Sequence, residues 1–405
     1  MKVVFVSNYI NHHQMPFCNE MARILGGDFS FVEVSPMDEE RIKMGWNSEK
    51  LPYVHRIYEE EELSKRLIRN SDIMLLGWIG DDKNSPANIE TRKRLMQKKP
   101  SIRISERIYR EGRWKMFSPR GLMAKYNEHI RFRKENVHLL CAGAYVSGDF
   151  KAIGAYPHKM YKWGYFPPFT EYSGQQIDSM LYRDGEKINI CFAGRLIRLK
   201  HPELVVKAAK TLKEKGIDFC LHIVGDGNRR YELEKLIADS GLSENVIMHG
   251  ALPPSEVRQV MEMSHIMVFS SNYLEGWGAV VNEAMNSLCA VVASSEAGAV
   301  PFLIRENENG MTFDNCSLSD LTDALYSLCT DPEKIRHLQL NAYETIRDKW
   351  NANIAAKRLI SFCEYVLNNG SEKGYDFPLD GPLSRAEVLR PAGFLRSLSE
   401  DNHLE

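Results

Sequence analysis

A chain of 405 residues is long enough for two domains of ordinary size, and its 43% hydrophobic and 26% charged residues suffice for two soluble cores. No apolar run approaches the roughly 20 residues that span a bilayer, which argues against a membrane-spanning helix. The formal net charge of −2 is unevenly spread: Arg92 to Lys134 holds fifteen Lys/Arg against Glu106, Glu111 and Glu128, so that stretch carries +12 and the remainder −14. Such a block suggests an anionic partner: a phosphate-bearing acceptor, an acidic membrane face or nucleic acid.

The eight cysteines are scattered without a C-x-x-C pair. They read as buried thiols in a reducing compartment rather than as a disulfide framework or a zinc site. The twelve histidines show no ligand spacing, so no metal is expected. The opening "MKVVFVSNYI" turns polar too soon for a signal peptide and reads as a first strand.

Along the chain, "KVVFVSN" is a strand and "MPFCNEMARIL" a helix with Pro16 in its first turn. "FSFVEVS", "SDIMLLGWI", "SIRISE" and the start of "VHLLCAGAYVSGDFKAIG" follow as strands, the last running into a short helix. This βαβ rhythm implies a parallel sheet covered on both faces. "YKWGYFPPFTEYSGQQ" breaks the rhythm and reads as an interdomain connection. A second series then begins: strands "KINICFAGR", "DFCLHIVGDG", "NVIMHG", "HIMVFSS" and "CAVVASS", with helices between them, two of which close at Gly216 and Gly241. A helical stretch follows Asp331-Pro332, and "SRAEVLRPAGFLRSL" suggests one more amphipathic helix in the tail. The expected division is 1–168 as an N-terminal domain, 169–184 as linker, 185–345 as a C-terminal domain, 346–369 as a helix returning to the first domain, and 370–405 as a tail.

Four strand ends of the second series share one rim of the sheet. "AGRLIRLK" places Gly194, Arg195 and Lys200 there, "VGDGN" places Gly225 and Asp226, "HGALP" places His249, Gly250 and Leu252, and "EGWG" places Glu275, Gly276, Trp277 and Gly278. Cations, glycines that expose backbone N–H groups, and a helix N-terminus suit a nucleoside diphosphate. Glu283 lies about five residues into the following helix, roughly 7 Å along its axis, where a carboxylate can accept from a ribose diol. Glu275 would stand on the other side of the phosphate, beside the sugar.

"EGWGAVVNEAM" resembles the E-x7-E motif of retaining GT-B glycosyltransferases of family 4. "FAGRLIRLKHPELVVKA", "LHIVGDGNRRYELEKLI", "NVIMHGALPPSEV" and "RDKWNANIAAKRLISFCEYVL" are similar to that family's further elements, in order. The resemblance covers the whole second half. It implies an α/β GT-B fold: two facing Rossmann-like, doubly wound domains with an interdomain cleft. It assigns Glu283 to the ribose, Arg195 and Lys200 to the diphosphate, Glu275 to the transferred sugar, the backbone at Trp277 and Gly278 to the phosphate, and His249 to Leu252 to the base. It implies no metal and no cofactor, and the chain has no D-x-D triplet. The expected activity is metal-independent, retaining transfer from a nucleotide-sugar, UDP favoured over GDP, to a glycan or lipid-diphosphate-linked acceptor, with no nucleic acid among the partners.

Two stretches depart from the family pattern. Where the family has a Gly-Gly loop this chain has "NYINHHQMPF", with His12, His13 and Gln14; where members place a histidine it has "RISERIY", with Glu106 and Arg107. These five are the candidate acceptor-side residues. "NHHQ" and "YKWGYFP" are similar to a bacterial subgroup acting on surface polysaccharides, which implies a cytoplasmic enzyme, with peripheral contact at the inner membrane face tied to the basic block. The alternatives are a nucleotide-sugar 2-epimerase of the same fold and a non-catalytic nucleotide-sugar-binding protein. A dinucleotide dehydrogenase is disfavoured because no full G-x-G-x-x-G follows either first strand.

Overall fold

The computed structural model describes residues 1–37, 51–110, 118–314, 317–368 and 375–390. The chain divides into two compact units. One comprises Met1–Tyr109, Arg113–Pro168 and Asn351–Arg390; the other is chiefly Phe169–Trp350.

The first unit is built on seven strands: β1 (Val3–Ser7), β2 (Phe29–Glu33), β3 (Val54–Arg56), β4 (Ile73–Leu76), β5 (Ser101–Ser105), β6 (Val137–Ala142) and β7 (Met160–Trp163). All pair in parallel, in the order β3-β2-β1-β4-β5-β6-β7. The order reverses beside β1, where Val3 lies opposite both Phe29 and Ile73. Every residue of β1, β2, β4 and β6 is buried, as β-branched and aromatic runs covered on both faces must be. Helix Met15–Leu25 takes Pro16 in its first turn as expected. Against it packs the helix Ala352–Leu367, where Asn353 Nδ2 donates to Glu20 Oε2 at 2.7 Å.

The second unit has six strands: β8 (Ile188–Ala193), β9 (Phe219–Val224), β10 (Val246–Gly250), β11 (Ile266–Phe269), β12 (Ala290–Ser294) and β13 (Met311–Phe313). They pair in parallel in the order β10-β9-β8-β11-β12-β13, with the reversal between β8 and β11. The helices Pro202–Glu214 and Arg230–Asp239 each stop two residues before a glycine in the left-handed region, Gly216 at φ 78° and Gly241 at φ 66°.

Several expectations are corrected. Tyr161–Trp163, read as the start of a linker, belongs to strand β7. Its outer edge is occupied by the tail: Lys162 N donates to Ser384 O, Leu383 N to Lys162 O (both 2.8 Å) and Ala386 N to Met160 O at 3.0 Å. Residues 384–390 are not helical; the rest of that expected helix and most of the tail, 391–405 and 370–374, lie outside the described residues. The segment 169–184 is part of the second unit: Thr170 N donates to Asn286 Oδ1, and Ser173 with Gln176 caps a helix Gly174–Met180. The helical stretch after Asp331 is two helices, Pro332–Asp348 and Ala352–Leu367, the second capped by Asn351. Strands β3 and β13 had no separate signal. Of the cysteines, seven are free thiols, five of them buried, and Cys316 lies outside the described residues.

Candidate functional site

Gly194, Arg195 and Lys200 follow β8, Gly225 and Asp226 follow β9, His249 and Gly250 end β10, and Glu275 to Gly278 follow β11. All stand at the carboxyl ends of parallel strands, and the loops after β8 and β11 flank the point where the strand order reverses. In open α/β sheets that crevice is where ligands bind.

The loops are tied to one another by backbone hydrogen bonds. Gly194 N donates to Val224 O (2.9 Å), Gly225 N to Gly250 O (2.7 Å) and Leu196 N to Asp226 O (2.9 Å). Gly225 has φ 136°, and a Cβ there would stand 1.9 Å from Gly194 O; one on Gly227 would stand 2.4 Å from Leu196 O. The first two loops thus pack backbone on backbone, which only glycine permits.

Lys200 and Glu275 form an ion pair, with both side chains only 15% exposed. Lys200 Nζ also lies 5.6 Å from the centre of the Phe269 ring. Burial pushes the Glu275 carboxyl up, but the Lys200 charge and hydrogen bond outweigh it and hold the group below its ordinary value. Arg195 is exposed, and its side chain makes no hydrogen bond or ion pair among the described residues. Of these two cations, Lys200 is paired with an acid and Arg195 is open to a ligand.

Gly278, at φ 94°, precedes the helix Ala279–Asn286, whose N-terminus has no side-chain cap. Val281 N donates to Gly278 O at 3.0 Å, and no side chain caps the remaining first-turn N–H groups, the kind that can receive an anion. Trp277 is buried, with Nε1 donating to Asn282 Oδ1 at 2.8 Å and its ring 5.8 Å from that of Trp350. Its side chain is a packing anchor, so only its backbone is available to an anion.

The side chain of Glu283, on the same helix, has no hydrogen bond or ion pair among the described residues. Burial pushes its carboxyl up to about 7, against the opposing charge of Arg258. A group raised above its ordinary value contributes most to stability at low pH, and that contribution is lost as pH rises through 7. Glu283→Gln is therefore expected to raise the melting temperature of the ligand-free protein at pH 8 but not at pH 5 and, if Glu283 takes the ribose role that the sequence resemblance implies, to weaken nucleotide binding about tenfold through one lost charged hydrogen bond. Thermal melts at the two pH values, with and without nucleotide, check both halves.

Asp226 accepts from Gly227 N at 2.7 Å and pairs with Arg230 at 3.1 Å on the surface, the role of a turn former. His249 Nε2 lies 3.1 Å from His222 Nδ1, the two rings stacked at 5.3 Å. Leu252 is half-buried in the loop beyond Gly250.

The acceptor-side candidates lie in the first unit. His13 stacks on Tyr165 at 5.9 Å, and Tyr165 donates its hydroxyl proton to Glu106. His13, Gln14 and Tyr165 border a small cavity floored by Phe5, Phe17 and Trp163. The His12 ring lies 3.8 Å from that of His13. Arg107 is buried against Asp149 at 3.4 Å, and Asp149 also accepts from Tyr109 N, so Arg107 braces its own loop. Tyr165 was hidden in the stretch read as linker. Arg258, which donates to Asn286 Oδ1 and lies near Glu283, has no local sequence signal because its helix, Pro254–Glu262, is remote in the chain from both.

Comparison with known proteins finds a family match within the second unit. Residues 176–345 match the family of glycosyl transferases group 1. The chain is 30% identical over 189 residues to the D-inositol 3-phosphate glycosyltransferase of Corynebacterium kroppenstedtii, covering 45% of this chain and 41% of that protein. It is 25% identical over 187 residues to the GDP-mannose-dependent alpha-(1-6)-phosphatidylinositol monomannoside mannosyltransferase of Mycobacterium tuberculosis, covering 45% and 48%. The chain thus spans under half the length of these relatives. Anabaena HepE in complex with UDP superposes over 90% of this chain and 100% of its own, with TM-score 0.67 at 14% identity. That likeness, with the two strand orders, establishes the fold as α/β of the GT-B type.

Proposed function

We propose that this protein is a retaining glycosyltransferase that moves a sugar from a nucleoside diphosphate, UDP favoured over GDP, to a glycan or lipid-diphosphate-linked acceptor in bacterial polysaccharide synthesis. The observation that supports it most is the rim of the second unit, where Arg195, the Lys200–Glu275 pair and an uncapped helix N-terminus meet at the reversal of strand order. The family match over residues 176–345 and the UDP bound by HepE support the donor class.

In this reading Arg195 and Lys200 hold the diphosphate, taking the place of a metal in neutralising the leaving group. Glu283 accepts from the ribose, and Glu275 from the sugar. The bond between the anomeric carbon and the diphosphate oxygen breaks, and the bond to the acceptor oxygen forms on the same face. The acceptor hydroxyl proton passes to the departing phosphate oxygen, so no protein nucleophile is needed. Catalysis is then positioning plus electrostatic stabilisation.

A thermal-shift panel of UDP, GDP and their sugars, followed by mass analysis of products with lipid-linked acceptors, tests the reading. Transfer that persists in chelator supports it. Donor consumed without acceptor identifies a 2-epimerase, and binding without turnover a binding protein; absence of any nucleotide shift overturns the donor site itself.

Contact with the cytoplasmic face of an anionic membrane is part of the proposal. The helix Pro119–Glu128 buries no residue, and Leu122, Met123 and Tyr126 are 44%, 61% and 51% exposed within the basic block. Each basic residue near such a surface contributes about 1 kcal/mol. Co-sedimentation with anionic vesicles but not neutral ones is expected; equal binding to both removes this part. No helix among the described residues is long and apolar enough to cross a membrane.

A further inference from the structure

His201, immediately after Lys200, is a non-glycine residue in the left-handed region, at φ 46°. Such a conformation is strained for a residue with a side chain and persists where its surroundings hold it. The surroundings here are polar. His201 Nδ1 lies 2.9 Å from Glu203 Oε1, and His201 Nε2 lies 3.1 Å from Asn272 Nδ2. Asn272 stands three residues before Glu275. Its backbone oxygen accepts from Glu275 N at 3.0 Å, and its backbone N donates to Leu199 O at 3.1 Å. Ser270 Oγ donates to Lys200 O at 2.7 Å from the same loop.

The direction of each hydrogen bond follows from one fixed donor. Leu274 N, which can only donate, reaches Asn272 Oδ1 at 3.0 Å. The amide of Asn272 is thereby oriented with Nδ2 toward His201, so Nε2 of His201 must accept. The imidazole proton then sits on Nδ1 and is donated to Glu203. Glu203 is kept a carboxylate by that hydrogen bond and by Arg229 at 3.7 Å, which outweigh its burial and hold it below its ordinary value.

We propose that His201 and Asn272 are positioning residues: their hydrogen bond straps the turn bearing Lys200 to the turn bearing Glu275 and holds the donor-binding pair in register. The strap exists only with neutral His201. A protonated imidazole presents Nε2–H to the Asn272 amide, donor against donor, and the amide cannot turn without abandoning Leu274 N. The charged groups on the elements around the imidazole include Glu203 on the helix Pro202–Glu214, Arg229 paired with Glu203 from the start of the next helix, and Lys200 and Glu275 in the two strapped loops. The proposal rests on the donor-site reading for its effect on catalysis, but the strap itself has a readout that does not.

The test uses the full chain labelled with 15N-histidine. At pH 8 His201 is expected in the Nδ1–H tautomer, with the Glu275 amide protected from hydrogen exchange. Lowering the pH until His201 charges is expected to expose that amide and to lower kcat/KM for the donor about 10- to 100-fold, the scale of a misplaced catalytic group. Asn272→Ala should give the same loss at all pH values, with kcat falling more than KM rises. Asn272→Asp offers one oxygen to Leu274 N and the other to a protonated Nε2, so its strap forms with charged His201. This variant is expected to be protected and active at lower pH, and to lose both as pH rises. His201→Gly relieves the backbone strain; if it keeps full activity and protection of Glu275 N, the residue is a turn former only. An Nε2–H tautomer at pH 8, or an Asn272→Asp profile that follows the wild type, also overturns the proposal. Loss of protection in Asn272→Ala without change in turnover separates a correct strap from a failed donor-site reading.

Discussion

Arg195→Ala is expected to lower kcat/KM for the nucleotide-sugar by about 10²- to 10³-fold, the range seen when one preorganised donor to a developing oxyanion is removed. Arg195 is exposed and its side chain has no partner among the described residues, so its removal leaves nothing orphaned. Stability should therefore stay within about 0.5 kcal/mol of wild type, as for most surface substitutions. Steady-state kinetics beside a thermal melt makes the comparison. An Arg195→Lys variant keeps the charge but not the planar fork that matches a phosphate, and should recover activity only in part. Full activity in Arg195→Ala would remove the diphosphate clamp from the mechanism.

Lys200→Met should behave differently, losing activity and stability together. It leaves Glu275, 15% exposed, without its cation. Breaking a buried pair on one side costs about 3 kcal/mol or more, because an uncompensated charge remains inside. The pH dependence reverses with it. In the wild type the Glu275 carboxyl is held below its ordinary value, so its contribution is present above pH 4.5 and is lost as pH falls. Without Lys200, burial raises the same carboxyl, and stability should instead be lost as pH rises and the group is forced to ionise. Lys200→Met/Glu275→Gln removes the stranded charge and should restore most of the melting temperature while restoring no transfer. A single variant that melts like the wild type at pH 8 would show that the pair contributes nothing to the fold.

The two substitutions contrast a free cation with a paired one, and that difference was not legible locally. "AGRLIRLK" places Arg195 and Lys200 past one strand, but Lys200 meets Glu275 across 75 residues of chain. The same limit applies to Glu106 and Arg107. As neighbours in "RISERIY" they suggest a pair with each other, yet each has a partner elsewhere, Tyr165 and Asp149. The short edge strands were missed for a related reason. The three-residue β3 and β13 have too little pattern to read, and β7 is completed on one side by Leu383–Ala386, more than 200 residues away.

What was legible has local causes. The β-branched runs of β1, β8, β9, β11 and β12 specify buried parallel strands because a fully covered strand needs apolar residues on both faces. Gly216 and Gly241 mark helix ends because only glycine takes the left-handed conformation there without cost. The placing of Gly194, Arg195, Gly225, His249 and Gly278 at strand ends follows from the strands alone.

The sequence by itself determined the strand and helix series, the rim on which the candidate residues stand and the spacing of Glu275 and Glu283, because each depends on the chemistry of consecutive residues. Only the tertiary structure decided which charge meets which, that Trp277 is an anchor, that Arg107 braces its own loop, and that the tail completes an edge. Hydrogen bonds and ion pairs depend on distance in space, and strand order, not chain order, sets that distance.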